Sequence, residues 1–406
     1  EIKPYLDGIA NHRRFIPETA RRLADPLFTR DLFINQYYID QFVERREQLL
    51  QEILQSLDAD SRAALALIYM RNGRLESPVK LQLSETQALE RLGSDLGRCI
   101  LALEALRGSL VLFSHASGES AWQFKHPTIG DAYATLLMQS PEHLDIFIQG
   151  SAPDRLIDQV TCGDVGLEKA IVVPKSLFPP MLARLREMLQ SRSYKTAWLS
   201  TFGAKRDLQG FLANRCSKEF LSLYLKDNPD LLDQVSEPGL FLDTVPEVRL
   251  AKRLHQFGLL PEEKRKKFVE TVSTYALDGQ DGDALDDDGI QSLFTSEEFE
   301  ELVHRVRTEL LPRLDDVRHE WESNHSAGEP PDEHMQQLLE FFSSVKERFM
   351  DDEGTVKLID RQIERTNEWI DENTPEEPER SPRKLGKIET PAESRSARSI
   401  FDDIDA

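Results

Sequence analysis

His126 is the residue whose type and position could most plainly do chemistry, because it lies at a predicted strand-to-helix junction. Apolar runs at 110–113 and 122–124, separated by a loop with a glycine, predict a β-hairpin. Pro127 suits the first position of a helix, and apolar residues recur at helical spacing through 129–137. A helix N-terminus carries free N–H groups and partial positive charge. A histidine there could bind a phosphate. The alternative is that it only caps the helix.

Charge is distributed unevenly along the chain of 406 residues, whose net charge is −22. Residues 251–406 hold 21 lysines and arginines against 39 aspartates and glutamates, so most of the negative charge lies there. This balance disfavours sequence-independent binding to a nucleic-acid backbone, which needs clustered cations.

The length of the chain predicts two to three domains.

Three separated cysteines, Cys99, Cys162 and Cys216, have no C-x-x-C spacing. A disulfide framework and a zinc site are therefore disfavoured, and a reducing, cytoplasmic location is predicted. We expect no membrane span, because no apolar run reaches ~18–20 residues, and we find no signal peptide. The sequence begins with Glu1 in what looks like the middle of an element, so we expect the C-terminal part of a longer protein.

The order of predicted elements indicates a mainly α fold. A helix, an extended stretch at 75–83, two helices around a turn at Gly93-Ser94 and then the hairpin are typical of a winged helix. We predict five parts: a small helical lid (1–32), a winged-helix domain (33–138), an irregular solenoid-like helical region (139–250), an acidic helical region (251–372) and a disordered tail (373–406).

The third helix of a winged helix often binds DNA. Here it carries Arg98 and Arg107, but its body is apolar and we predict that it is mostly buried, through Ile100, Leu101, Leu103 and Leu106. DNA binding is kept as an alternative. Further along, 139–250 shows no fixed repeat and no credible strand pair, although 171–174 could be a short, isolated strand.

Each of three further stretches of the sequence has two possible interpretations. The basic and aromatic residues of 190–218 could bind nucleic acid or form a solvated cationic helix face. The aspartate-rich 278–289 resembles a calcium loop but places glycine and aspartate wrongly in every register, so an acidic surface loop is favoured. Ile400, Phe401 and Ile404, set among acids at 399–406, suit docking into a groove or are chance apolar residues in a tail.

No complete catalytic constellation is present. The sequence has no G-x-x-x-x-G-K-[ST], G-x-G-x-x-G, G-x-S-x-G or H-E-x-x-H motif, and its histidines lack metal-ligand spacing with a cysteine. We predict no catalytic site and no metal site within the chain itself.

Two segments carry a family resemblance: NHRRFIPETARRLADP at 11–26 and WQFKHPTIGDAYATLL at 122–137. They resemble the C-terminal modules of STAND-type P-loop ATPases, above all the bacterial novel STAND group. The resemblance implies a signalling switch that is closed with ADP and opens with ATP into a homo-oligomer once a protein ligand or effector is sensed, in bacterial conflict or antiviral phage defence. ATP or ADP would be bound mainly by a P-loop core upstream of this chain, and only the full-length parent would be an ATPase.

The resemblance also assigns residues. His126 matches the family's winged-helix histidine, which contacts the β-phosphate of ADP, although Pro127 replaces the aspartate of better-known relatives. Arg13 stands where the family has a proline beside the adenine, and Arg13 or Arg14 could approach the phosphates as a sensor arginine. The alternatives from other classes are a winged-helix DNA-binding regulator and a protein-interaction adaptor that uses no nucleotide.

Overall fold

The computed structural model describes residues 3–29, 33–44, 46–116, 118–168, 170–190, 198–326 and 328–374, and the chain is mainly helical, as predicted. The predicted tail from 375 onward, and Arg192, Tyr194 and Lys195 of the basic stretch, lie outside the described residues. None of the helices in these ranges is long and apolar enough to cross a membrane.

The N-terminal segment is a set of short helices. A 3-10 turn at Lys3–Tyr5 leads into α1 (Leu6–Ala10), α2 (Pro17–Leu23) and α3 (Pro26–Thr29). Pro17 occupies the first turn of α2, where its missing N–H costs nothing, and Leu23 and Phe28 turn into the core.

The predicted winged helix comes next, with its elements in the expected order. They are α4 (Gln36–Glu44), α5 (Arg46–Ser56), α6 (Ala59–Met70), β1 (Arg74–Ser77), α7 (Leu83–Arg91), α8 (Leu96–Ala105), β2 (Val111–Ala116), β3 (Glu119–Phe124) and α9 (Pro127–Met138). The sheet has the order β1-β3-β2 and both pairings are antiparallel. Trp122 at its centre faces Leu75 on one side and Phe113 on the other.

Local capping fixes where these helices begin. Asp58 accepts the Ser61 N–H at 2.8 Å at the start of α6, and Asp95 accepts the Arg98 N–H at 3.0 Å at the start of α8. Such caps satisfy amides that have no partner within their own helix. The winged-helix frame is therefore set by local signals together with the apolar periodicity.

The helical region after the winged helix contains a strand pair that the sequence did not predict. β4 (Val160–Cys162) pairs in parallel with β5 (Ile171–Val173), so the expectation of no credible strand pair there is wrong. Both strands are too short for a period-2 pattern to register. The helices of this region are α10 (Pro141–Gly150), α11 (Pro153–Gln159), α12 (Phe178–Gln190), α13 (Trp198–Arg215), α14 (Lys218–Asp227), α15 (Leu231–Ser236) and α16 (Pro246–Gln256), with a 3-10 turn at Lys175–Leu177 before α12.

The acidic region continues the same hydrophobic core without a break. Arg265 is 4% exposed and its guanidinium donates to Glu262, Glu298 and the carbonyl of Leu293, which holds α17 against α20. The elements are α17 (Glu262–Leu277), α18 (Asp283–Asp286), α19 (Asp288–Gln291), α20 (Ser296–Arg305), a π-helical stretch (Val306–Leu310), a 3-10 turn (Leu311–Arg313), α21 (Leu314–Asn324), α22 (Pro331–Arg348) and α23 (Glu353–Asn373).

The aspartate-rich loop serves the fold. Asp281 is buried, contrary to the predicted surface loop, and its carboxylate accepts the N–H groups of Leu242 (2.9 Å) and Asp283 (3.0 Å). Asp287 caps α19 and pairs with Lys252 at 2.8 Å. Across the described part of the chain, no group of three or more His, Cys, Asp or Glu side chains is arranged to hold a metal ion.

Burial, together with the charges of Asp281, Asp286 and Asp243, raises the pKa of Asp283 to about 7. In the unfolded chain an aspartate titrates near pH ~4. Between these values the folded chain holds the extra proton, so stability falls as the pH rises through that window. Asp283→Asn removes this dependence. We expect the free energy of unfolding of this variant, measured by urea titration, to increase relative to that of the wild type by about 1 kcal/mol for each pH unit between pH 5 and 7.

The matched control is Asp288→Asn, which removes an exposed carboxylate from the same loop. It should leave the wild-type slope in place. Parallel stability–pH curves for Asp283→Asn and the wild type would contradict the half-buried, charge-repelled state of Asp283.

Candidate functional site

His126 occupies the corner between β3 and α9, as the sequence predicted. Its backbone is extended (φ −147°, ψ 143°) and it is the N-cap of α9. Nδ1 lies 3.2 Å from the Thr128 backbone nitrogen, which donates to it, and 3.0 Å from the Thr128 hydroxyl. The capping role that the sequence left as an alternative is therefore present.

These contacts define the form of the imidazole. Nδ1 accepts the Thr128 N–H, so in the neutral ring Nδ1 is unprotonated and the proton lies on Nε2. Nε2 hydrogen bonds to no described residue. The cap thus orients the ring and leaves one N–H donor available to a ligand.

The helix terminus itself offers less to an anion than the sequence suggested. Pro127 has no N–H, the Thr128 N–H goes to His126 Nδ1, and the Ile129 N–H donates to the His126 carbonyl at 3.0 Å. The donor left at this corner is the Nε2–H of His126, and the amides at the start of α9 are already used.

Arg22 joins this corner to the N-terminal segment. Its guanidinium donates to the Thr128 hydroxyl at 2.6 Å and to the Glu18 carboxylate at 3.0 Å, and it lies 5.5 Å from the ring centre of Phe28. With its proton turned to His126 Nδ1, the Thr128 hydroxyl accepts from Arg22 and donates to the imidazole. A hydrogen-bond chain therefore runs from α2 to His126.

Glu18 holds the other end of this chain. It accepts two hydrogen bonds from Arg21, at 2.6 and 2.7 Å, as well as the one from Arg22. Burial would raise the pKa of Glu18, but the hydrogen bonds and charges of Arg21 and Arg22 outweigh it and hold the pKa below its usual value. Arg22 is 3% exposed, so the guanidinium is fixed in place by its partners.

The two predicted sensor arginines lie in another part of the segment. Arg13 is exposed in the connection between α1 and α2. The Arg14 guanidinium donates to the Glu44 carbonyl at the end of α4, at 3.2 Å, and the His12 imidazole lies 3.9 Å from the Glu44 carboxylate. The arginine that bonds to the His126 corner is Arg22, a residue that the sequence placed on the lid helix without a role.

The third helix of the winged helix, α8, presents an apolar surface. Leu101 is 73% exposed and Ile100 38% exposed, so the prediction that both are buried is wrong; Leu103 and Leu106 are buried as expected. The arginines that flank this surface, Arg98 and Arg107, are occupied by carboxylates of the same region (Asp95 at 2.9 Å and Asp60 at 3.5 Å for Arg98, Glu104 at 3.5 Å for Arg107). Major-groove recognition uses side chains that donate to or accept from base edges, and Ile100 and Leu101 can do neither.

Three of the described cations of the basic stretch, Lys205, Arg206 and Arg215, are engaged within the fold. The ammonium of Lys205 lies 3.6 Å from Glu247, Arg206 donates to the Thr244 carbonyl at 3.2 Å, and Arg215 donates to the Val160 carbonyl at 3.4 Å. This arrangement agrees with the solvated-face interpretation better than with a nucleic-acid surface.

Comparison of the chain with protein-family models, with curated proteins and with solved structures finds no match.

Replacing Arg22 tests the joint between α2 and the His126 corner. Arg22→Met keeps an apolar side chain of similar length but removes the donor to Thr128, and Glu18 retains Arg21. A buried, charge-assisted contact of this kind contributes about 1–3 kcal/mol. We expect hydrogen exchange of the backbone amides in 17–23 to accelerate by roughly 5- to 100-fold.

Arg13→Met is the control, because it removes an exposed guanidinium from the same segment. It should leave exchange in 17–23 unchanged, whereas Thr128→Val should reproduce part of the Arg22→Met effect. Equal exchange in Arg22→Met and Arg13→Met would show that the joint does not hold α2.

Proposed function

We propose that this chain is the regulatory part of a nucleotide-dependent STAND-type switch, in which His126 senses the phosphates of a bound ADP. The observation that carries the proposal is the hydrogen-bond chain from Arg22 through Thr128 to Nδ1 of His126, with Nε2–H left as a donor. One residue thereby combines a phosphate-type donor with a rigid attachment to both the N-terminal segment and the winged helix.

The mechanism depends on the ligands that Nε2–H can bind. A phosphate oxygen within hydrogen-bond distance would accept the Nε2–H of the imidazole, and because the oxygen is charged this bond is stronger than one between neutral groups. The ligand would then connect its own binding core to the corner of α9 and, through Thr128 and Arg22, to α2. Loss of the phosphate contact would release the nucleotide-binding core from α9 and from α2 together. A local electrostatic change would thereby produce a large conformational change.

ADP and ATP are the proposed nucleotides, and the main nucleotide contacts belong to a P-loop core outside this chain. The ATP-bound, open form would assemble as a homo-oligomer after a protein ligand or effector is recognised. A role in bacterial conflict or phage defence rests on the family resemblance alone.

A second candidate is a protein-interaction adaptor that needs no nucleotide. The exposed Leu101 and Ile100 on α8 favour it over a DNA-binding regulator, since a winged helix with an apolar third helix suits a protein partner better than a base edge. In that case His126 would have only its capping role.

Two substitutions at His126 separate these functions. His126→Asn keeps a good helix N-cap but removes the ring, whereas His126→Ala removes both cap and ring. In the polypeptide that carries the P-loop core together with this chain, both variants should release ADP roughly 10- to 100-fold faster than the wild type, as expected for the loss of one charged hydrogen bond. Rapid filtration of bound, labelled ADP measures this rate.

A normal ADP release rate in His126→Asn, with an unchanged oligomeric state, would reject the sensor role. If only His126→Ala released ADP faster, the effect would belong to the cap. A parent polypeptide without any G-x-x-x-x-G-K-[ST] segment would leave the adaptor as the function.

A further inference from the structure

A small groove lies at the far end of α9 from His126. It has a volume of about 290 Å³ and is formed between α5, α6, the end of α7, α9 and the start of α10. Its walls are largely apolar, with buried Leu54 and Leu137 and the half-buried Leu92, Tyr133 and Leu136. This is enough space for a few apolar side chains of a peptide, at the low end of the usual size of a binding pocket.

The charged side chains that line this groove are both cationic. They are Arg62 and Arg91, both are exposed, and no aspartate or glutamate is among the described lining residues. Arg91 is paired with Asp145 at 2.7 Å. The Arg62 guanidinium donates to the Gln55 carbonyl at 3.3 Å, and this neutral acceptor does not cancel its positive charge. In a chain of net charge −22, an apolar groove with a cationic rim suits an acidic segment with apolar side chains.

The sequence contains one such segment outside the described residues: Ile400-Phe401-Asp402-Asp403-Ile404, followed by Asp405. We propose that this segment of the same chain docks in the groove, with its apolar side chains against Leu92, Tyr133 and Leu136 and its carboxylates toward Arg62. Positions 400, 401 and 404 share one face of a helical turn, the spacing by which short amphipathic segments bind apolar grooves.

The length of chain between the two partners permits this contact. Residues 375–399 span at most about 90 Å when extended, at ~3.3–3.6 Å per residue. A compact chain of the described size has a radius of gyration of about 21 Å, so the groove is within reach of its own segment. Attachment in the same chain gives an effective concentration near the millimolar range, which lets a weak peptide occupy the site.

Docking there would act on α9, the helix that begins at the His126 corner. Leu136 comes ten residues after His126, or about 15 Å along the helix axis. The inference does not depend on a nucleotide role for His126, because the groove and the segment are defined without it.

The test uses the full chain and a fluorescent peptide of residues 399–406. Variant Ile400→Ser/Phe401→Ser/Ile404→Ser empties the groove of its own segment, so it should bind the peptide at least about 10-fold more tightly than the wild type, by fluorescence anisotropy. Adding Arg62→Glu to that variant should weaken peptide binding by about 3- to 10-fold, because the reversed charge repels the aspartates.

Leu385→Ser/Ile388→Ser is the matched control, since it removes apolar side chains from another part of the same stretch and should bind the peptide as weakly as the wild type. Equal peptide affinity of the wild type and the triple variant, or no effect of Arg62→Glu, would overturn the proposal. A concentration-dependent dimer of the wild type that the triple substitution abolishes would show docking onto a second copy and would overturn attachment within one chain.

Discussion

The structure depends on two helices, α6 and α9, that are each packed on two sides. Residues 63–68 of α6 are all at most 2% exposed, so no face of this stretch meets solvent. Ala66 of α6 and Leu137 of α9 belong to the core of the helical region, while Leu65 and Ile129 belong to the core of the winged helix and the N-terminal segment. The winged helix is therefore packed continuously against the helical region that begins at α10, because its own helices contribute to both cores.

This shared packing also restricts the residues where α10 meets α6 and α7. Gly150 at the end of α10 passes so close to α6 and α7 that an added Cβ would lie 2.8 Å from the Ala88 Cβ and 2.9 Å from the Met70 side chain. Such close contacts leave no room to adjust, since protein interiors are densely packed. Because α9 contributes to both cores, a shift of either of its ends would disturb the packing of both. This gives a physical basis for linking the His126 corner to distant parts of the chain.

Much of the fold was predictable from local signals, but much of the site was not. The hairpin, Pro127 and the apolar spacing of α9 located His126 correctly, because capping and periodicity act over a few residues. The strand β1 in the sheet, the β4–β5 pair and the exposure of Leu101 depend on contacts between distant segments, which a local pattern does not report. Arg22 was missed for the same reason: in the sequence it is one of four arginines in 13–22, and only folding brings it to Thr128.

If His126 senses ADP as we propose, its ring is held with Nε2–H facing a nucleotide phosphate. Nitrogen NMR of the ¹⁵N-labelled imidazole, in a polypeptide that joins the proposed P-loop core to this chain, would detect this arrangement. We expect a ring with unprotonated Nδ1 and protonated Nε2 in the absence of nucleotide, and a chemical-shift change confined to Nε2 when ADP is added. An Nδ1-protonated ring, or ring nitrogens that do not respond to ADP, would contradict it.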